Sequence, residues 1–190
     1  MTAANSPAAP PAGRPAESGR QGAVAGAMVG LFWVDRDGCW LGAPPGGEGA
    51  AVRLTDAGLE VTGASAAVQN WPQVERVALP DASARSAFRR GLSTAIGLAT
   101  TMAGFGGPEA APLMTVCVTH AEGTSEHLVS SAAAPAYTER EVELSHRLLE
   151  RFVAGELNPS LLGDWWRSAG HPASPRPAAR ETLLEQWCGR

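Results

Sequence analysis

The strongest constraint on the fold is a rhythm in the middle of the chain. From Gly30 onward, short β-like runs alternate with turn signals, and the series ends in one capped helix. "GLFWV" and "CWLG" flank Asp35-Arg36-Asp37-Gly38, where Asp37-Gly38 is a hairpin signal. "APPGGEG" reads as a loop. "AVRLT" and "LEVTG" flank Asp56-Ala57-Gly58, and alternation points Val52, Leu54, Leu59 and Val61 inward. In "AAVQNWPQVERVAL" a strand ends near Trp71 and the chain jogs at Pro72, which has no N–H for a ladder. A second strand then runs from Val74 to Leu79.

"LMTVCVTH" and "TSEHLVSS" form a later hairpin through Ala121-Glu122-Gly123, with Met114, Val116, Val118 and Val129 on one face. A turn centred on Glu122-Gly123 pairs His127 with Val118 and His120 with Ser125. The helix follows in "YTEREVELSHRLLERFVAGEL". Thr138-x-x-Glu141 has the capping-box spacing, in which hydroxyl and carboxylate satisfy each other's backbone donors. Val142, Ser145, Leu149, Phe152 and Val153, with Leu148 alongside, form its apolar stripe, and Gly155 ends it. The expected class is mainly β with α: about seven or eight short strands closed by a C-terminal helix.

Residues 1–26 are rich in Ala, Pro, Gly and Ser and read as a disordered tail, although "GAVAGAMVG" could run into a first strand. Residues 27–158 form the domain, and 159–190 an extension. Asn158-Pro159 starts a short helix, "SLLGDWWRS"; "AGHPASPRP" is a linker, and "AARETLLEQWCGR" gives a last amphipathic turn or two.

Charge and composition narrow the function. Nine arginines meet 15 Asp and Glu between Ala27 and Asn158, a net of −6 in a chain of net −4. Such a body repels nucleic-acid phosphates and strongly anionic membranes. All 15 basic residues are arginine. Without lysine there is no side-chain Schiff base and no phosphate-binding P-loop lysine. Cys39, Cys117 and Cys188 are scattered without a CxxC pair, as expected of small apolar fillers in a reducing compartment. The N-terminus lacks a charged segment followed by an apolar one, so the expected location is cytoplasmic.

Arg89 and Arg90 precede 18 uncharged residues, Gly91–Pro108, which contain five glycines. This is a poor membrane span. Phe88, Leu92, Ala95, Ile96, Ala99, Met102 and Ala103 share one helical face, so the stretch reads as an amphipathic helix at about 82–104, ended by glycines. "GFGG" follows a helix and precedes Pro108, which is not the setting of a dinucleotide fingerprint.

The order of parts resembles a bacterial pleckstrin-homology-like (PH-like) domain over about residues 30–157. "VRLTDAGLEV", "WPQVERVAL", "VCVTHAEGTSEHLVSS" and the capped helix carry the resemblance. It implies a bent antiparallel β-barrel or sandwich of about seven strands, capped by the helix. It also implies a non-catalytic binding or scaffold module for proteins, peptides or lipids. The first hairpin loop, Asp35-Arg36-Asp37, departs from the basic loop of inositide-binding members, and the insertion between Leu79 and Leu113 is a second departure.

The candidate sites follow from these parts. His120 and His127 could share a face beside Glu122 and Glu126, but no third ligand stands at a defined spacing, so no metal and no cofactor is expected. No G-x-S-x-G elbow exists for a hydrolase, and no catalytic residue is assigned. The expected partner-binding residues are Arg89, Arg90, Leu92 and Ile96 in the inserted helix, with Trp165, Trp166, Leu183, Leu184 and Trp187 in the extension. The adjacent tryptophans cannot both be buried by one short helix, and Leu183, Leu184 and Trp187 form a helix-in-groove pattern. The function expected is a non-enzymatic scaffold engaging protein partners or a second copy. The alternative is a peripheral membrane protein using the Arg89-Arg90 helix, and a small enzyme is a further possibility.

Overall fold

Short apolar runs separated by turn residues extend from Ala27 to Val61, and each strand pairs with the next in chain order. The computed structural model describes residues 26–46, 50–63, 66–82, 113–132 and 137–190. Six strands form an antiparallel meander: β1 (Gly26–Val29), β2 (Phe32–Asp35), β3 (Gly38–Leu41), β4 (Ala51–Leu54), β5 (Gly58–Thr62) and β6 (Ala67–Asn70). A 3-10 turn, Trp71–Gln73, leads into a second antiparallel sheet of β7 (Val74–Ala78), β8 (Leu113–His120) and β9 (Gly123–Ser130). Three helices follow: α1 (Glu139–Val153), α2 (Ser160–Ser168) and α3 (Pro177–Cys188).

The fold is therefore mixed β and α. Nine described strands lie in two sheets and, among the described residues, form no closed barrel. The extra strand is β1, which begins at Gly26, the last residue of the segment read as a tail, and lies within "GAVAGAMVG". Residues 1–25 and the expected inserted helix, apart from Ala82, lie outside the described residues.

Both sheets turn their apolar faces to one core. Val52, Leu54, Leu59 and Val61 are buried as the alternation requires, and so are Met114, Val116, Val118 and Val129. The late hairpin turns at Ala121-Glu122, which pairs Val116 with His127, Val118 with Ser125 and His120 with Gly123. That register is two residues from the expected one. Because side chains alternate with period two, a slip of two leaves every residue on its face. At the jog, the Trp71 indole donates to the Thr55 carbonyl at 2.9 Å, which fixes the point where the chain changes sheets.

Helix α1 closes one end of the core. Its capping box is present: the Thr138 hydroxyl accepts from the Glu141 amide at 3.0 Å, and the Glu141 carboxylate accepts from the Thr138 amide at 2.8 Å. Leu144, Leu148, Leu149 and Phe152 are buried, each contributing about 1.5–3 kcal/mol. The buried stripe differs from the expected one, since Leu144 and Glu141 are in it while Val142 and Val153 are half-buried. The reason is that α3 packs along α1 and covers a second flank.

The β1–β2 turn also fits beneath α1. The Ser145 hydroxyl donates to the Glu141 carbonyl at 2.6 Å and accepts from the Leu31 amide at 3.1 Å. Gly30 has φ +58°, and a Cβ there would collide with the Ser145 hydroxyl and stand 2.9 Å from Leu184. Only glycine allows that approach.

Several polar ties bind α3 to α1. Arg180 pairs with the fully buried Glu141, the Thr138 hydroxyl donates to Glu181 at 2.6 Å, Arg140 pairs with Glu185 at 2.9 Å, and Arg151 donates to the Cys188 carbonyl at 2.8 Å. Arg180→Ala should therefore leave an uncompensated charge in the core and cost about 3–5 kcal/mol, measured by urea unfolding. A loss below about 1 kcal/mol would show that Glu141 does not depend on it.

His146 links α1 to the second sheet by accepting the Leu79 amide at 3.2 Å through Nε2. Burial, chiefly, lowers its pKa; Arg76 adds to the lowering and Glu150 opposes it. Burial also lowers that of His127, helped by His120. The unfolded chain then binds more protons, so stability is full above about pH 6.5 and falls as pH drops through the lowered values. Unfolding midpoints measured from pH 7.5 to 5 should fall, and His146→Gln should flatten that slope.

Candidate functional site

Residues that point away from the core in the six-stranded sheet line up across its strands. Ladder pairing joins Trp33 to Trp40, Trp40 to Arg53, Arg53 to Glu60 and Glu60 to Val68. This outer row is aromatic at one end and polar in the middle. Asp35 organises the aromatic end: its carboxylate accepts the indole N–H groups of Trp33 (3.1 Å) and Trp40 (3.4 Å) and the turn amides of Asp37 (2.8 Å) and Gly38 (3.0 Å). Helix α2 packs over β2 and β3 and buries Trp40 and Asp35. The half of the row on β4–β6 stays open.

A cleft of about 460 Å³ lies between α2 and the β4–β5 hairpin. Gly38, Arg53 and Glu60 lie along the sheet, Thr55, Asp56 and Ala57 form the hairpin rim, and Pro159, Ser160, Gly163 and Arg167 form the helical wall. A second hollow of about 270 Å³ continues it past Arg53 and Arg167 to Arg36, Asp37, Trp166 and His171.

Arg53 lies at the junction of the two hollows. It pairs with Glu60 at 3.4 Å, both side chains being about 40% exposed, and its guanidinium carbon lies 5.8 Å from the centre of the Trp40 ring. Its Nε is buried without a hydrogen-bond partner. Arg167 pairs with Asp164 at 2.6 Å and donates to the Gly163 carbonyl at 3.2 Å.

The two histidines of the late hairpin do share a face. His127 is buried, bonding the Ser125 hydroxyl at 3.2 Å, which also accepts from Gln69 at 3.3 Å. His120 bonds the Gln73 carbonyl at 3.0 Å. Among the described residues no three His, Cys, Asp or Glu side chains gather as a metal site. The three cysteines are free, and burial is the leading cause that pushes each thiol up, so they stay protonated near neutral pH.

The residues expected to meet a partner fall into three groups. Arg89, Arg90, Leu92 and Ile96 lie outside the described residues. Trp165 and Leu183 are half-buried, with the Trp165 ring edge-on to Trp187 at 5.6 Å. Trp166, Leu184 and Trp187 are buried by this same chain at 4%, 0% and 2% exposure, so they could touch a partner only after the extension undocks. Helix α3, at 12 residues, is also longer than a turn or two.

The sequence reading did not single out Arg53, Glu60, Gly163 or Arg167. A signal for the first two was present: once Val52, Leu54, Leu59 and Val61 point inward, Arg53 and Glu60 must point outward, and the register sets them opposite each other.

Trp166→Ala should cost about 3–5 kcal/mol in urea unfolding, because it empties a buried site and leaves the Pro172 carbonyl without its indole donor. Trp165→Ala should cost clearly less, and equal losses would contradict the asymmetry. Compared with protein-family models, curated proteins and solved structures, the chain finds no match.

Proposed function

We propose that this chain is a non-catalytic binding or scaffold module of PH-like plan, working in the cytoplasm, and that its partner is a protein docking in the cleft beside α2. The observation that carries the reading is the outer row of the large sheet. Its aromatic half is covered by α2, while Arg53, Glu60 and Val68 stay open next to a cleft large enough for several side chains. Docking against a sheet and a neighbouring helix needs no movement of the core, and an arginine backed by an aromatic ring suits a central contact.

The charge pattern supports a protein rather than a polyanion. The body carries net −6 between Ala27 and Asn158, and Asp37, Asp56 and Glu60 stand among the arginines of the cleft. Among the described residues no helix is long and apolar enough to cross a membrane. In this reading the C-terminal extension serves the partner as a wall, through α2, while its apolar anchors hold that wall in place.

Photo-cross-linking in the native cell tests the proposal. A benzophenone side chain at position 56, on the cleft rim, should give an adduct with a protein; one at position 147, on the exposed flank of α1, should not. No adduct at 56, or equal adducts at both positions, would overturn it.

A further inference from the structure

We infer that the cleft beside α2 takes a peptide segment through a carboxylate side chain, and that Arg53 is the group that holds it. This rests on the protein-binding reading above and names the chemistry that would be recognised.

Two features of the cleft cost the fold something. The first is Gly163, in the interior of α2. It is not among the glycines with positive φ, and a Cβ added there would meet nothing closer than the far end of Arg167 at 4.0 Å. Alanine would fit and would favour the helix more. What glycine provides is a bare stretch of helix backbone on the cleft wall, open to close approach by another chain.

The second is Arg53. A guanidinium has five N–H donors in a fixed fork. Here Nε–H is buried against the sheet without a partner, so the donors left to a ligand are those on the two Nη atoms, and the contact from Nη1 to Glu60, at 3.4 Å, is long for a charge-assisted bond. The fork is nevertheless held in place. Gly38 lies under it so closely that a Cβ there would stand 2.7 Å from Nε, and Trp40 backs it. A pre-oriented guanidinium with unused donors matches a carboxylate, which can take two of them at once. The Glu60 pair is half-exposed and weak enough to yield to the incoming group.

Charge limits what else could bind. Four carboxylates (Asp35, Asp37, Asp56 and Glu60) against three guanidiniums (Arg36, Arg53 and Arg167) line the two hollows, so a ligand with several negative charges finds no net attraction there, which disfavours nucleic acid and phosphorylated lipid headgroups. One carboxylate among neutral amides needs only the short-range match to Arg53.

The test is an amide and arginine side-chain NMR titration of the full chain with acetyl-Ala-Ala-Glu-Ala-Ala-amide. The lysine counterpart of that peptide and inorganic phosphate serve as separate probes. The glutamate peptide should shift the Gly38, Ala57 and Gly163 amides and the Arg53 Nη resonances, and the lysine peptide should not. Arg53→Gln should weaken the response at least tenfold. Gly163→Ala should weaken it too while keeping or raising the melting temperature, which separates blockage of the cleft from loss of fold. Absence of shifts, equal response in both variants, a stronger response to the lysine peptide, or a response to phosphate alone would overturn the assignment. If position 56 still cross-links a protein while the glutamate peptide fails, the binding-module reading stands and the carboxylate assignment falls. Failure of both removes both.

Discussion

The buried pair of Glu141 and Arg180 is the interaction on which the arrangement of the C-terminal half depends. Glu141 is fully buried and serves two elements at once: one carboxylate oxygen closes the capping box of α1, and the other receives Arg180 from α3. Removing two charges from water is expensive, and their attraction offsets that only when the remaining donors are also satisfied. Here they largely are. The Thr138 amide occupies the second oxygen of Glu141, and the Pro175 carbonyl accepts from Arg180 at 3.0 Å. A pair of this kind adds little net stability over apolar packing, but breaking it is costly. It admits one placement of α3 along α1, and Leu184 and Trp187 are buried in that placement.

From α3 the constraint passes to α2 and so to the cleft. Helix α2 has nine residues, too short to be stable alone, and carries a glycine in its interior. Its position comes from contacts on both sides. Trp166 is buried and bonds the Pro172 carbonyl at 3.2 Å, while Trp165 meets Trp187 of α3 edge-on. The linker is held as well, because the Ser174 hydroxyl accepts the Met28 amide of β1 at 2.8 Å. The helical wall of the cleft is therefore built by residues far from it in sequence.

That remoteness explains what was legible in the sequence. Strand order, inward faces and the capped helix follow from local chemistry: period-two alternation, Asp-Gly turns and a Thr-x-x-Glu box. The late hairpin shows how robust facing is, because Val116 and Val129 stay in the core despite a register two residues from expectation. The α1 stripe shows where local reading stops. Glu141 reads as a surface cap until α3 supplies Arg180, a partner 39 residues on. The extension shows the same limit. Leu184 and Trp187 have the spacing of a helix that binds in a groove, and the groove they occupy belongs to their own chain. Hydrophobic spacing specifies burial but not whose surface provides it. In the cleft, Arg53 was legible as an outward residue of β4, but its neighbour Gly163 is more than 100 positions away and shows no local sign of facing it.

Because the cleft has one wall from the sheet and one from the docked extension, the binding proposed there would be linked to the stability of the extension. A ligand that touches both walls binds only the docked state, so it stabilises docking by an amount set by its concentration relative to its dissociation constant. The converse also holds. Any change that loosens α3, such as loss of the Arg180 charge, lowers the fraction of molecules with a complete cleft and weakens apparent affinity by that fraction. The sheet wall does not share this dependence, since Arg53, Gly38 and Trp40 are fixed by the meander and by Asp35. The two walls thus divide the work. In the proposed binding mode the sheet presents the chemistry, and the extension decides how often the site is whole.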